Sequence, residues 1–271
     1  MKKYEDKWAL ITGASAGIGA TFARELAAQG ANIIMTARRS EKLKALGDEI
    51  EKQYNVKTKQ IVADLADPSA PEQIFAAITE DGLKVDILVN NAGYGLPGTF
   101  IENDWPTHYA FIQLMVTSYA HLAHLSLPNM KEKNWGQIIN VASLAGLVPS
   151  SAGHTLYGAS KSFLISMSQS LAAENAKFGV KVSALCPGFT YSEFHDVNGM
   201  RDLVSELPKY MFMDAKPVVT GAMDAVEKGQ AVYIPGAWNK FIAGTMRLLP
   251  RGWSYKLVQK QSKGFRRQTD M

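Results

Sequence analysis

Short apolar runs recur along this chain, and amphipathic stretches of helical period lie between them. Trp8 to Ile11, Ala31 to Ala37, Lys59 to Ala63, Val85 to Val89, Gln137 to Val141, Val180 to Leu185 and Ala231 to Ile234 read as strands. The run from Val85 is expected to be buried on both faces of a sheet. Helical spacing links Ile18, Phe22, Leu26 and Ala27, then Leu43, Leu46 and Ile50 with Ser40 as the expected cap, then Ile74, Phe75 and Ile78 within Pro71 to Thr79. Long helices are predicted over Trp105 to Leu127 and over Leu156 to Phe178, the second closed by Gly179, and a short one over Thr220 to Lys228. Phe189 to Lys216 has no clean period. Strand alternates with helix throughout, which requires parallel strands joined by right-handed crossovers. The expected fold is a doubly wound α/β domain, a seven-stranded parallel sheet with helices on both faces.

In such sheets ligands bind beyond the carboxyl ends of the strands. Residues just after the strands are therefore the candidates for chemistry. After the first strand the chain reads Thr12-Gly-Ala-Ser-Ala-Gly-Ile-Gly19, a turn with three glycines that leads into a helix. Glycine lets backbone approach a ligand closely, and the helix start offers N–H groups and a positive dipole end to a pyrophosphate. The other strand ends carry Arg38 and Arg39, Asp64, Asn90 to Gly93, Ser143, and Pro187 with Gly188.

Tyr157 and Lys161 are four apart at the start of a predicted helix, so they share a face. An ammonium near a phenol lowers the phenol pKa, and a serine hydroxyl at Ser143 can hydrogen-bond a carbonyl oxygen. A tuned proton donor beside a polarising hydroxyl suits carbonyl reduction. Taken in order and spacing, the glycine turn, Asn90-Asn-Ala-Gly93, Ser143, Tyr157-x-x-x-Lys161 and Pro187-Gly188 resemble the short-chain dehydrogenase/reductase family over about Lys7 to Gly236. The resemblance implies a Rossmann-type catalytic domain over 1–236, with 237–271 as its C-terminal extension. It implies Tyr157 as acid/base, Lys161 on the nicotinamide ribose and Ser143 on the substrate carbonyl. Gly13, Gly17, Ile18 and Gly19 would hold the pyrophosphate, Asp64 with Leu65 the adenine, and Asn91, Ala92 and Gly93 the cofactor's inner face. Asn90 would brace the central strand. Pro187, Gly188 and Thr190 would pack at the nicotinamide end. Counting back from Leu127-Pro128-Asn129-Met130, the family's relay asparagine falls on Met115, a thioether that donates nothing. The relay would then run by another route, through Thr117 or Ser118, or proton transfer would be slowed.

Charge informs cofactor choice. No acid follows the second strand; Ala37-Arg38-Arg39 does, and Ser15 lies in the glycine turn. Guanidinium forks suit a 2′-phosphate, so NADP(H) is expected rather than NAD. The expected activity is NADP(H)-dependent interconversion of a carbonyl and a secondary alcohol. Its rival is a non-catalytic NADP(H)-binding sensor or scaffold.

The chain has 271 residues, 46% hydrophobic and 20% charged, with a net charge of +4. One cysteine, Cys186, precludes an internal disulfide and fits a reducing, cytoplasmic setting. No signal peptide or apolar run of spanning length is read. His108, His121 and His124 are expected at the surface or an interface, His154 beside the pocket or in an ordinary loop, and no metal site is expected. Phe194, His195, Leu203, Leu207, Tyr210 and Met211 occupy the family's lid region, and their apolar character suggests either an apolar substrate or simple lid packing. From Ala237 to Met271 there are eight Lys or Arg against one acid, Asp270. Trp238, Phe241, Ile242, Met246 and Leu249 keep helical spacing there. Three readings stand: a terminal helix covering the lid or a subunit contact, a basic amphipathic segment on an anionic membrane surface, or a basic stretch that attracts an anionic carrier such as a coenzyme A thioester. The long helices imply a homo-oligomer by family resemblance, and no nucleic-acid role is expected because no distributed basic face is evident.

Overall fold

The computed structural model describes residues 2–191 and 208–266. Seven parallel strands, β1 (Trp8–Thr12), β2 (Asn32–Ala37), β3 (Thr58–Val62), β4 (Ile87–Asn90), β5 (Gly136–Val141), β6 (Val180–Leu185) and β7 (Val232–Tyr233), form one sheet in the order β3-β2-β1-β4-β5-β6-β7. The order reverses between β1 and β4, where Leu10 pairs with Leu88. A crevice therefore opens above their carboxyl ends.

Alternation within the strands explains the two-sided core. Ala9 and Ile11, Ile33 and Met35, and Ile87 and Val89 face one side; Leu10, Ile34 and Leu88 face the other. Helices α1 (Gly17–Ala28), α2 (Ser40–Tyr54) and α7 (Ala215–Glu227) cover the first side, the last through Val218, Val219, Ala222, Met223 and Val226. Helices α3 (Ala70–Glu80), α4 (Trp105–Ile112), α5 (Ser118–Glu132) and α6 (Thr155–Asn175) cover the second. Each aliphatic side chain buried fully in these layers contributes about 1.5–3 kcal/mol.

Several boundaries differ from the sequence reading. Ser40 does not cap α2: it is the first helical residue, Arg39 precedes it, and no side chain caps the end. Helix α7 begins at Ala215, five residues before Thr220, because Pro217 fits a first turn that needs no N–H donor. The expected helix over Trp105 to Leu127 is interrupted by a π-helical turn, Gln113–Thr117, between α4 and α5. Helix α6 ends at Asn175, and a 3-10 turn, Ala176–Phe178, leads to Gly179 in the left-handed region at φ 67. The C-terminal extension forms α8 (Ala237–Leu248) and α9 (Arg251–Arg266). Phe194, His195, Leu203 and Leu207 lie outside the described residues, as do Arg267 and Asp270.

Candidate active site

Above the β1–β4 crevice lies a cavity of about 560 Å³. At one end is the glycine turn. Gly13 and Gly17 adopt φ of 63 and 55, where a side chain is strained. A Cβ on Gly13 would lie 2.8 Å from the Cα of Ala92. The Nδ2 of Asn91 donates to the carbonyls of Thr12 and Gly13, at 2.9 and 3.3 Å. Thr12 Oγ1 accepts from the N–H groups of Asn91 and Ala92, at 2.8 and 3.0 Å. Asn91 thus spends its amide on the turn. Gly13, Ser15, Gly17 and Ile18 line the cavity. Gly19 does not: it is buried beneath the turn, where a Cβ would lie 2.4 Å from the oxygen of Gly13. No side chain caps α1, and no acid sits in its first turn. The helix start therefore presents its positive end to the cavity without competition.

Two arginines follow β2. Arg39 donates to Ser15 Oγ from Nη2 at 2.8 Å and from Nε at 3.2 Å. Arg38 lies 3.8 Å from Asp64 Oδ2, a solvent-exposed pair. Asp64, Leu65, Arg38 and Arg39 all line this end of the cavity.

At the other end, Ser143 leaves β5 in extended backbone and caps a 3-10 turn, Leu144–Gly146. A Cβ on Gly146 would lie 2.7 Å from the carbonyl carbon of Lys161, so this turn rests directly on α6. That contact sets Ser143 against the first turn of α6, where Tyr157 hydrogen-bonds with it. Lys161, one turn on, donates from Nζ to the Val141 carbonyl at 2.8 Å, and the same atom lies 5.6 Å from the Tyr157 ring centre. Burial dominates both titrations. The Tyr157 phenol is pushed up to about 12, with Ser143 pulling the other way, and the Lys161 ammonium is pushed down to about 7. The expected lowering of the Tyr157 pKa by Lys161 is not what this structure shows: burial raises it, and the opposing pull comes from Ser143. Pro187, Gly188 and Thr190 follow β6 along the same wall, with Asn91, Ala92 and Gly93 opposite. Below them Asn90 Nδ2 donates to Asn140 Oδ1 at 2.9 Å and to the Tyr119 carbonyl at 3.1 Å.

Residues 7–200 match the short chain dehydrogenase family. The chain belongs to that family. As a short-chain dehydrogenase it is an oxidoreductase acting on CH–OH groups, and it uses a nicotinamide cofactor. It is 35% identical over 70% of its length to a 7beta-hydroxysteroid dehydrogenase of Collinsella aerofaciens, covering 70% of that protein. It is 37% identical, again over 70% of its length, to a very-long-chain 3-oxoacyl-CoA reductase of Anas platyrhynchos, covering 62% of it. A short-chain dehydrogenase from Sphingobium yanoikuyae, solved in complex with NADPH, superposes with a TM-score of 0.78 at 30% identity, covering 90% of this chain and 96% of that one. The residues here fit a nicotinamide dinucleotide: the uncapped helix start and the glycine cradle that a Cβ would fill suit its pyrophosphate.

The position where the family resemblance implies a relay asparagine lies in the π turn between α4 and α5. Met115 is fully buried in the π turn, and a Cβ on Gly93 would lie 2.8 Å from its Sδ. Neither alternative relay residue reaches the reacting end. Thr117 is exposed, and Ser118 donates to the Leu65 carbonyl at 2.7 Å. What lies under the site is Tyr119, wholly buried, its hydroxyl on the Ala92 carbonyl at 2.8 Å and its ring centre 5.8 Å from Lys161 Nζ. Several cavity residues escaped the sequence reading of the site or were only partly placed, four of them at the reacting end or on α8. Trp238, Asn239 and Ile242 of α8 line it, and Asn239 packs so tightly on Gly188 that a Cβ there would lie 2.4 Å from its Oδ1. His154 lines it too, edge-on to Tyr157 with ring centres 6.3 Å apart, Nδ1 3.2 Å from Ser151 Oγ, its pKa lowered by burial. His108 is not at the surface: it is buried, stacked on Phe100, with Nε2 2.7 Å from the Phe100 carbonyl.

Proposed function

We propose that this chain interconverts a carbonyl and a secondary alcohol on a largely apolar substrate, with NADP(H) as its cofactor. The observation that carries this reading is the single cavity joining Arg39 and Ser15 at one end to Ser143, Tyr157 and Lys161 at the other. Arg39, held on Ser15 and lining the cavity, supports recognition of a 2′-phosphate. Arg38 adds a second positive charge there. A bound nicotinamide supplies or accepts the hydride at the carbonyl carbon. In reduction, Tyr157 Oη gives its proton to the carbonyl oxygen as the C–O double bond becomes an alcohol. Ser143 Oγ hydrogen-bonds the same oxygen and holds it in reach. A phenol held near 12 keeps its proton at neutral pH, so it begins the reductive direction in the competent form. Lys161 Nζ, anchored on Val141, offsets the phenolate charge once it is protonated.

Substrate class follows from the wall beyond Tyr157. Leu96, Val148, Met211, Trp238 and Ile242 form it, with His154 edge-on to the phenol ring. Such a wall suits a bulky hydrocarbon body, a ring system or an acyl chain, and the hydroxysteroid and 3-oxoacyl substrates named for the relatives above are of that kind. NADPH oxidation across cyclic ketones, steroid ketones and 3-oxoacyl thioesters tests the reading, with Tyr157→Phe as control. Turnover that vanishes in the variant is expected. NADPH binding with no turnover on any of them returns the sensor reading.

A further inference from the structure

Between Glu227 and Asp270 the chain carries nine Lys or Arg and no acidic residue. Helix α8, inside this stretch, is apolar on both sides. Its inner side buries Ala243 and Asn239. Its outer side presents Phe241, 62% exposed, and Leu248, 87% exposed, two turns apart on one face with Gly244 between them. Lys240 and Arg247, also exposed and also seven apart, run along one edge of that face. A surface helix ordinarily turns polar residues to water. This one turns a strip of large apolar side chains outward and edges it with cations.

The strip is continuous with neighbouring aromatic side chains. Trp238 stacks on Phe241 at 5.7 Å, and Tyr210, 67% exposed, meets Trp238 edge-on at 5.6 Å. Helix α9 adds Trp253 and Leu257 with Lys256 and Lys260, all exposed, while Ser254 is buried and Gln259 Nε2 donates to the Ser150 carbonyl at 3.3 Å. Trp238 belongs both to this surface and to the cavity wall. The apolar surface therefore begins at the edge of the site.

We infer that the outer face of α8, with Trp253, Lys256 and Leu257 of α9, docks on an anionic lipid surface. Charge decides among the occupants. A two-fold contact between copies would press the same patch against itself, cation against cation. A bilayer carrying anionic headgroups accepts the basic edge in its headgroup layer and the aromatic and aliphatic side chains just below it. A further consequence, which rests on the function proposed above, is that an apolar substrate reaches Trp238 from the lipid without crossing water.

Flotation of the full-length protein tests the docking without recourse to turnover. Wild-type protein is expected to float with phosphatidylglycerol–phosphatidylcholine vesicles, far less with phosphatidylcholine alone, and less as salt rises. Each Lys or Arg near such a surface changes binding about five-fold. The pair Lys240→Glu/Arg247→Glu is thus expected to weaken flotation at least about ten-fold, and Phe241→Asp/Leu248→Asp to abolish it. NADPH binding and the mass by light scattering should stay as in wild type for both. Wild-type protein that stays at the bottom of the gradient overturns the inference, as do variants that float like wild type. Variants that change the oligomeric mass while wild type fails to float assign the face to a contact between copies instead. Loss of the catalytic reading alone leaves the flotation result standing.

Discussion

Lys161 Nζ donates to the carbonyl oxygen of Val141, the last residue of β5, at 2.8 Å. The bond ties the site's cation to the end of a strand and leaves it almost wholly buried. Burial holds its pKa down, to about 7 from 10.5. Between those values the unfolded chain binds a proton that the folded chain does not. The contribution of this residue to stability therefore rises as pH rises from 7 toward 10.5. Without cofactor, Lys161→Met should melt higher than wild type at pH 7, and the gap should narrow steadily by pH 10. A gap independent of pH would show that the ammonium is not desolvated as the structure has it.

Tyr157→Phe keeps the ring against His154 and removes the phenolic proton that is hydrogen-bonded with Ser143. Turnover is expected to fall about 10³-fold, the range for loss of a positioned acid/base. Affinity for NADPH should change little, which equilibrium fluorescence titration checks. Ser143→Ala is expected to lower turnover less steeply, since it removes a hydrogen bond to the oxygen and leaves the proton donor.

Arg39→Ala removes the fork held on Ser15. A charge-assisted hydrogen bond is worth about 1.5–3 kcal/mol, so NADPH affinity should fall about ten- to a hundred-fold. NADH affinity should stay nearly constant. Equal losses for the two cofactors would take Arg39 out of 2′-phosphate recognition.

Much of this was legible in the chain, for identifiable reasons. The strand runs and the Gly13 turn are local patterns, and every strand appears within two residues of where the apolar pattern puts it. The π turn at Gln113–Thr117 was not legible, because the extra residue shifts the helical phase within Phe111 to Val116, a stretch apolar on nearly every side. Ser40 looked like a cap by type, but the chain enters α2 one residue earlier. The part of α8 in the cavity wall was hidden as well. Asn239 meets Gly188 across 51 positions of sequence, and only the folded chain brings them together. Tyr119 carried no motif, and its place under Lys161 follows from the packing of α5 beneath β4.

Met115→Asn puts the asparagine that the family resemblance implies in a place built for a thioether. The shorter polar side chain would leave a void below Gly93 and a buried amide with no partner provided. A loss of about 2–4 kcal/mol is expected, with no gain in turnover. Thermal melting and steady-state kinetics check the two halves separately. A rise in turnover at unchanged stability would mean that the relay of the wider family can be rebuilt here.

The strand order carries a consequence for how the chain assembles as it is made. Beginning from β1, one half of the sheet grows outward through β2 to β3, in the order of synthesis. The other half cannot start until β4 arrives, since Ala9 pairs with Ile87. From there β5, β6 and β7 add one by one, again in the order they leave the ribosome. A nascent chain that stalls before Ile87 leaves β1 with one unpaired edge, the backbone N–H and C=O groups of Ala9 to Ile11 lacking their β4 partners. Closure of such a distant pairing is slow, and an open strand edge is the feature that invites association with other chains. The same central seam that later opens the crevice for a ligand is thus the point at which a half-made molecule most needs a chaperone.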